Sequence, residues 1–196
     1  MGDPGPILAI VGARPEPAPV PSRACAIDPA AAPPPWPLSR PLLQAVLDDR
    51  LTDRFVCELI WWRLGYRPAA AAAGAAEAIA PSSAPETWQA TPATPTAWAE
   101  RFPIAPELVA ERPPNVQLTR SIQAPFKQLL KEQLGFGGYR IGELYPRRTR
   151  RAVAVNWLLA HLAERGEPLV ETGPLPPLLD QPVDPVAGHP GDRPVA

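Results

Sequence analysis

The order of apolar and polar positions divides the chain into elements. Ser39 is a good helix N-cap, Pro41 sits in the first turn, and Leu42, Leu43, Val46 and Leu47 recur at helical spacing until Asp48, Asp49 and Arg50 interrupt them. Thr52 or Asp53 caps a second helix over 53–64, which Gly65 closes and Pro68 stops. Phe55, Leu59 and Trp62 share one face of it, and Val56, Cys57, Ile60, Trp61 and Leu64 cover most of the rest. A helix apolar nearly all round is buried by neighbours on several sides, so this one is expected at the centre of the domain, with Trp61 and Trp62 in its core.

Residues 69–85 read as a low-complexity insertion, since nine of the twelve residues 69–80 are alanine. Between 86 and 114, Trp88, Trp98 and Phe102 stand among prolines, with short helical turns expected at 96–101 and 106–111. Large aromatics in such a connection predict a strap packed across the domain. Val116, Leu118 and Ile122 alternate with Gln117, Thr119 and Ser121, which predicts a short strand over 115–122. Pro125 opens a helix to Leu134 with Gly135 as its cap, and Tyr139 to Leu144 is a second short strand candidate. After Pro146 the longest helix runs over about 147–165 and ends at Gly166. The fold class predicted is mainly α, or α+β with at most two short strands: a small helical domain with disordered Pro-rich tails.

Proline sharpens the boundaries. Of 31 prolines in 196 residues, 11 fall in residues 1–37 and 8 in 166–196, leaving 12 for the 128 residues between. Proline at that density removes hydrogen-bond donors and blocks helices. The division expected is therefore a disordered head at 1–37, a helical domain at 38–165 carrying the 69–85 insertion, and a disordered acidic tail at 166–196. Charge divides at the same places. The formal net charge is −1, but the tail has one Arg against five acids, −4, and residues 116–165 hold 9 basic and 3 acidic side chains, +6. A basic subdomain thus precedes an acidic tail able to lie over it.

Catalytic signatures are absent. Gly135-Phe136-Gly137-Gly138 fails the dinucleotide fingerprint because Arg140 stands where the third glycine belongs. Cys25 and Cys57 form no C-x-x-C pair, and His161 and His189 are the two histidines, so no cofactor or metal is expected. No 18-residue apolar run or convincing signal peptide is present, which predicts a soluble, cytoplasmic protein without membrane association.

One anomaly carries chemistry. Arg147, Arg148, Arg150 and Arg151 occupy the start of the last helix, where the helix dipole is already positive. An anion is therefore expected nearby. It is a carboxylate of the domain, a phosphate, or an acidic partner. The arginines either pair internally, with domain carboxylates or carbonyls of the 135–143 loop, or face a partner. Tyr145, Trp157 and Arg140 complete the candidate partner surface, with a protein placed ahead of RNA or another phosphate polymer.

The strings RFVCELIWWRLGYRP (54–68), LTRSI (118–122), KQLLKEQLGFGGYRIGE (127–143) and PRRTRRAVAVNWLLAHL (146–162) resemble domain of unknown function 1823, a small family of cyanobacteria and plastid-bearing relatives. The resemblance covers roughly residues 50–165. It implies a photosynthetic-lineage context and an intracellular soluble protein, and it brings no activity, cofactor or catalytic residue. The function expected is a non-enzymatic binding or assembly module that uses the basic start of the last helix.

Overall fold

Two local caps start the domain as their positions in the sequence require. Ser39 Oγ accepts the Leu42 N–H at 3.4 Å, and Thr52 Oγ1 accepts the Phe55 N–H at 3.2 Å. In the computed structural model, which describes residues 1–2, 36–69 and 87–195, they cap α1 (Arg40–Leu47) and α2 (Asp53–Arg63). The remaining elements are β1 (Arg67–Pro68), β2 (Trp88–Gln89), α3 (Thr96–Ala99), α4 (Arg112–Ser121), α5 (Leu129–Leu134) and α6 (Pro146–Glu164), with 3-10 turns at Ala124–Phe126 and Ile141–Glu143. The described residues are thus mostly helical with two short strands. Residues 36–69 and 87–195 belong to one compact unit, Pro34–Ala196. The head expected at 1–37, apart from Met1, Gly2, Trp36 and Pro37, lies outside the described residues, as does the Ala-rich insertion after Ala69.

β1 and β2 pair antiparallel, Arg67 opposite Gln89 and Pro68 opposite Trp88, so the chain leaves for the insertion and returns through one short ladder. The connection that follows is the expected aromatic strap. Trp88 and Trp98 are buried, Tyr66 Oη donates to the Phe102 carbonyl at 2.8 Å, and Trp61 Nε1 donates to the Pro106 carbonyl at 2.9 Å. These bonds satisfy the polar ends of large rings whose bodies fill the core.

Two predicted strands are helical instead. Residues 115–122 lie in α4 and its end, because the buried positions are Asn115, Leu118 and Ile122, spaced by three and four. Pro113 and Pro114 support this, since proline at a helix start loses no intrahelical hydrogen bond. Tyr139 to Leu144 forms the Ile141–Glu143 turn, with Ile141 and Leu144 exposed and no strand among the described residues paired with it. The helix expected from Pro125 to Leu134 is a 3-10 turn followed by α5.

The centre of the domain is α6 rather than α2: α6 packs against α1, α2, α4, α5 and the Ala124–Phe126 turn. Val155, Leu158 and Leu159 are fully buried, and Asn156 secures α5 by accepting the Leu130 N–H at 2.9 Å. α2 contributes Val56, Cys57 and Ile60 to the same core.

The acidic tail, expected to be disordered, follows a defined irregular path over the domain. Arg40 N–H donates to the Val170 carbonyl at 2.9 Å, and Arg40 pairs with Glu171. Leu179 N–H donates to the Arg50 carbonyl at 3.0 Å, and Gln181 Nε2 to the Asp48 carbonyl at 2.9 Å. Backbone groups of the domain supply the partners that the tail's prolines cannot supply one another.

Candidate functional site

The arginines at the start of α6 converge on two carboxylates from the α1–α2 corner. The corner depends on Asp49, whose φ of 61° lets it close α1 in a left-handed conformation, with Asp49 N–H bonded to the Val46 carbonyl and Arg50 N–H to that of Ala45. Asn and Asp tolerate this region better than other side chains, and here the carboxylate is also used. Asp49 Oδ1 lies 3.2 Å from Arg151 Nε and Oδ2 lies 3.4 Å from Arg148 Nε. Asp53, in the first turn of α2, accepts from Arg151 Nε at 3.0 Å and Nη2 at 2.7 Å with one oxygen, and pairs with Arg147 Nη1 through the other.

Carbonyl oxygens absorb the rest. Arg151 Nη2 donates to Leu51 at 2.6 Å, and Arg150 Nη1 donates to Val109 at 3.0 Å and Ala110 at 2.7 Å. Arg147 donates to Val186, Ala187 and Arg193 on the tail, at 3.3, 2.8 and 2.9 Å. Arg147 and Arg151 are fully buried. Burial lowers the pKa of both, while Asp192 raises that of Arg147 and Asp49 that of Arg151. The anion that the sequence requires is thus supplied by the domain and its tail, and the 135–143 loop contributes the Tyr139 ring, whose centroid lies 5.8 Å from Arg148 Cζ.

Of the other candidates, Tyr145 stays beside the cluster, its ring centroid 5.9 Å from Arg148 Cζ. Trp157 is buried, its Nε1 donating to Ser121 Oγ at 3.0 Å and its ring stacked on His161 at 5.3 Å. Tyr145 is the half-buried N-cap of α6. Arg140 is exposed. The structure therefore brings Arg147, Arg148 and Arg151 together inside the domain and leaves Arg140 on the surface.

A different feature is open to solvent. A groove of ≈ 490 Å³ runs between α4, α5 and α6, with Ile122, Leu130, Phe136 and Val153 along it and Gly137-Gly138 at one wall. Its charged lining residues are Lys127 and Lys131, the two lysines of the chain, and no acid lines it. Three residues beyond Gly138, Ile141 is 97% exposed and Leu144 62%. The apolar periodicity does not mark this groove; its signal in the sequence is that both lysines fall on one short segment before a double glycine.

Cys57 and His161 sit apart from any such opening. The Cys57 thiol is fully buried, and burial pushes it up to about 12. His161 is lowered to about 4 by burial and the neighbouring Arg165 and Arg63. Among the described residues no group of three His, Cys, Asp or Glu side chains is arranged to hold a metal ion. No helix among them is long and apolar enough to cross a membrane.

A family model described as Domain of unknown function (DUF1823) matches residues 37–163. The chain belongs to this family. A solved solution NMR structure is 42% identical to it with a TM-score of 0.51, over 66% of this chain and 97% of that one. No curated protein matches the chain. The DUF1823 match takes in all four arginines with Asp49 and Asp53, whereas the tail and Asp192 lie beyond it.

Proposed function

We propose that this DUF1823 protein is a non-enzymatic binding module, and that its contact surface is the groove between α4, α5 and α6 rather than the arginines at the start of α6. The arginines are committed to internal partners, and a buried charge withdrawn from its partner is costly. The groove is apolar along its length and bears only positive charge, beside two exposed large aliphatics on the 135–145 loop. That combination suits a protein segment carrying both acidic and apolar side chains, because apolar contact supplies affinity and lysine–carboxylate pairs supply register. The observation that carries this reading is the pairing of Lys127 and Lys131 with an acid-free apolar groove.

Carbodiimide coupling tests it directly, since it joins a lysine amine to a carboxylate in contact with it. In nuclease-treated lysate, Lys127 and Lys131 are expected to couple to Asp or Glu of a captured protein, mapped by mass spectrometry. Lys127→Glu with Lys131→Glu, or Ile141→Ser with Leu144→Ser, is expected to abolish capture while the far-ultraviolet spectrum stays unchanged. Loss of all captured material on nuclease treatment, with affinity falling steeply in salt, would assign the surface to RNA instead.

A further inference from the structure

The buried charge cluster balances only when the tail is counted. Arg147, Arg148 and Arg151 contribute three positive charges, and Asp49 and Asp53 contribute two negative ones. Asp192 supplies the third, and its side chain is 1% exposed. Its Oδ1 accepts the Asp53 N–H at 2.8 Å, one of the unpaired donors at the N-terminus of α2. Its Oδ2 accepts the His189 N–H at 2.8 Å and lies 3.5 Å from Arg147 Nη1. His189 Nδ1 is also 3.5 Å from Oδ2.

The surrounding chain is shaped to this cradle. Three tail carbonyls wrap the Arg147 guanidinium, and Gly188 lies flat against it, with a φ of +82° and room for no side chain: a Cβ there would stand 2.6 Å from Arg147 Cζ. Arg147 and the α2 N-terminus lie within the family domain at 37–163, and the carboxylate between them lies outside it. Removing that carboxylate leaves the cluster with one positive charge in excess and a free backbone donor in a buried site, which is an energetic demand for another anion of the same shape.

We propose that Arg147 and the N-terminus of α2 form a peptide-carboxylate site, filled in cis by Asp192 and open in trans to an aspartate that a partner protein presents on a glycine-bearing turn. The tail then acts as the site's resident competitor. This inference does not depend on the groove between α4, α5 and α6, and its test leaves Lys127 and Lys131 untouched.

Two arms on the full chain test it. In the first, Asp192→Ala opens a space the size of a carboxylate, whereas Asp192→Asn fills it with an amide. Sodium formate is expected to raise the unfolding temperature of the Ala variant, or to refold it if it is unfolded, well beyond sodium chloride at equal ionic strength. The Asn variant and the unaltered chain should respond to the two salts alike. Equal effects of formate and chloride on the Ala variant, or an equal formate gain in the unaltered chain, overturn the proposal. In the second arm, Gly188→Val displaces the tail from Arg147, and a synthetic peptide of residues 184–193 is titrated in by calorimetry. The peptide is expected to bind this variant and not the unaltered chain, and to bind about tenfold or more weakly once its aspartate at 192 is replaced by asparagine. Equal binding of the two peptides, or no binding to the variant, overturns the occupation in trans.

Discussion

Arg151 Nε and Nη2 both reach one oxygen of Asp53, at 3.0 and 2.7 Å, and this two-pronged bond joins the second turn of α6 to the first turn of α2. Neither side chain is exposed enough for water to replace it. Arg151→Met is therefore expected to lower stability by about 3–5 kcal/mol, because it strands buried carboxylates. Arg151→Lys should fall between, since an ammonium lacks the planar fork that also reaches the Leu51 carbonyl. Urea unfolding followed by tryptophan fluorescence measures both. A loss below about 1 kcal/mol for Arg151→Met would place the pair at a surface value.

Asp49 combines a strained backbone with a needed charge, and substitutions separate the two. Asp49→Gly relieves the left-handed conformation, a gain of about 1 kcal/mol, and removes a carboxylate that faces Arg148 and Arg151. The second effect is larger, so a net loss of about 2–4 kcal/mol is expected in the same urea assay. A stabilised Asp49→Gly variant would show that the charge cluster is balanced without Asp49.

The caps and the charge cluster show what local sequence can and cannot reveal. Ser39, Thr52 and Gly65 were legible because a cap is made within a few residues. Leu118 and Ile122 fit both a strand and a helix, and the residue that decides between them, Asn115, is polar, so the apolar pattern chose the wrong period. The arginine anomaly was legible as an imbalance of sign at one helix end. Its partners were not, because Asp53 lies 98 residues from Arg151 and Asp192 stood among five acids of a tail whose proline content argued against order. Trp157 looked free for the same reason: Ser121, which holds its ring nitrogen, lies on a segment expected to be a strand.

Gly65 is the position in the α2–β1 turn that tolerates no side chain. Its φ is +87°, and an added Cβ would lie 2.7 Å from both the carbonyl carbon and oxygen of Ala93. Gly65→Ala is expected to cost more than about 2 kcal/mol, since left-handed strain and a backbone clash add. The loss should appear as faster amide exchange at Tyr66, whose N–H bonds to the Trp61 carbonyl at 2.9 Å. Unchanged exchange there would mean that the turn and the Ala93 segment separate at little cost.

Cys57 reports on opening of the core. Its thiol is raised to about 12 mainly by burial and then by Glu107, so it is protonated and shielded at neutral and mildly alkaline pH. In a Cys25→Ser background, an aromatic disulfide reagent at pH 8 is expected to react with Cys57 only at the rate of unfolding, and urea should accelerate it in step with loss of tryptophan signal. Rapid stoichiometric reaction in native buffer would instead reveal an accessible thiolate and give Cys57 a chemical role.

His161 sets the sign of one pH effect. Its folded value is lowered to about 4 by burial and by Arg165 and Arg63, against an ordinary value of 6.5. Below pH 6.5 the unfolded chain takes up a proton at this ring and the folded chain does not, so acidification favours unfolding. The stabilisation from keeping His161 neutral is complete above pH 6.5 and is lost as pH falls through the window down to about 4, after which both states are protonated. The ring lies stacked on Trp157 and 3.4 Å from Arg165 Nη1, so a charged imidazolium would face a cation. His161→Gln is expected to flatten the fall in urea midpoint between pH 7 and pH 4.5 relative to the unaltered chain, the carboxylates titrating equally in both. Proton NMR of the ring should give a midpoint near 4. A midpoint near 6.5 would show that the ring samples water freely and that α6 is looser at its C-terminal end than its packing against α4 implies.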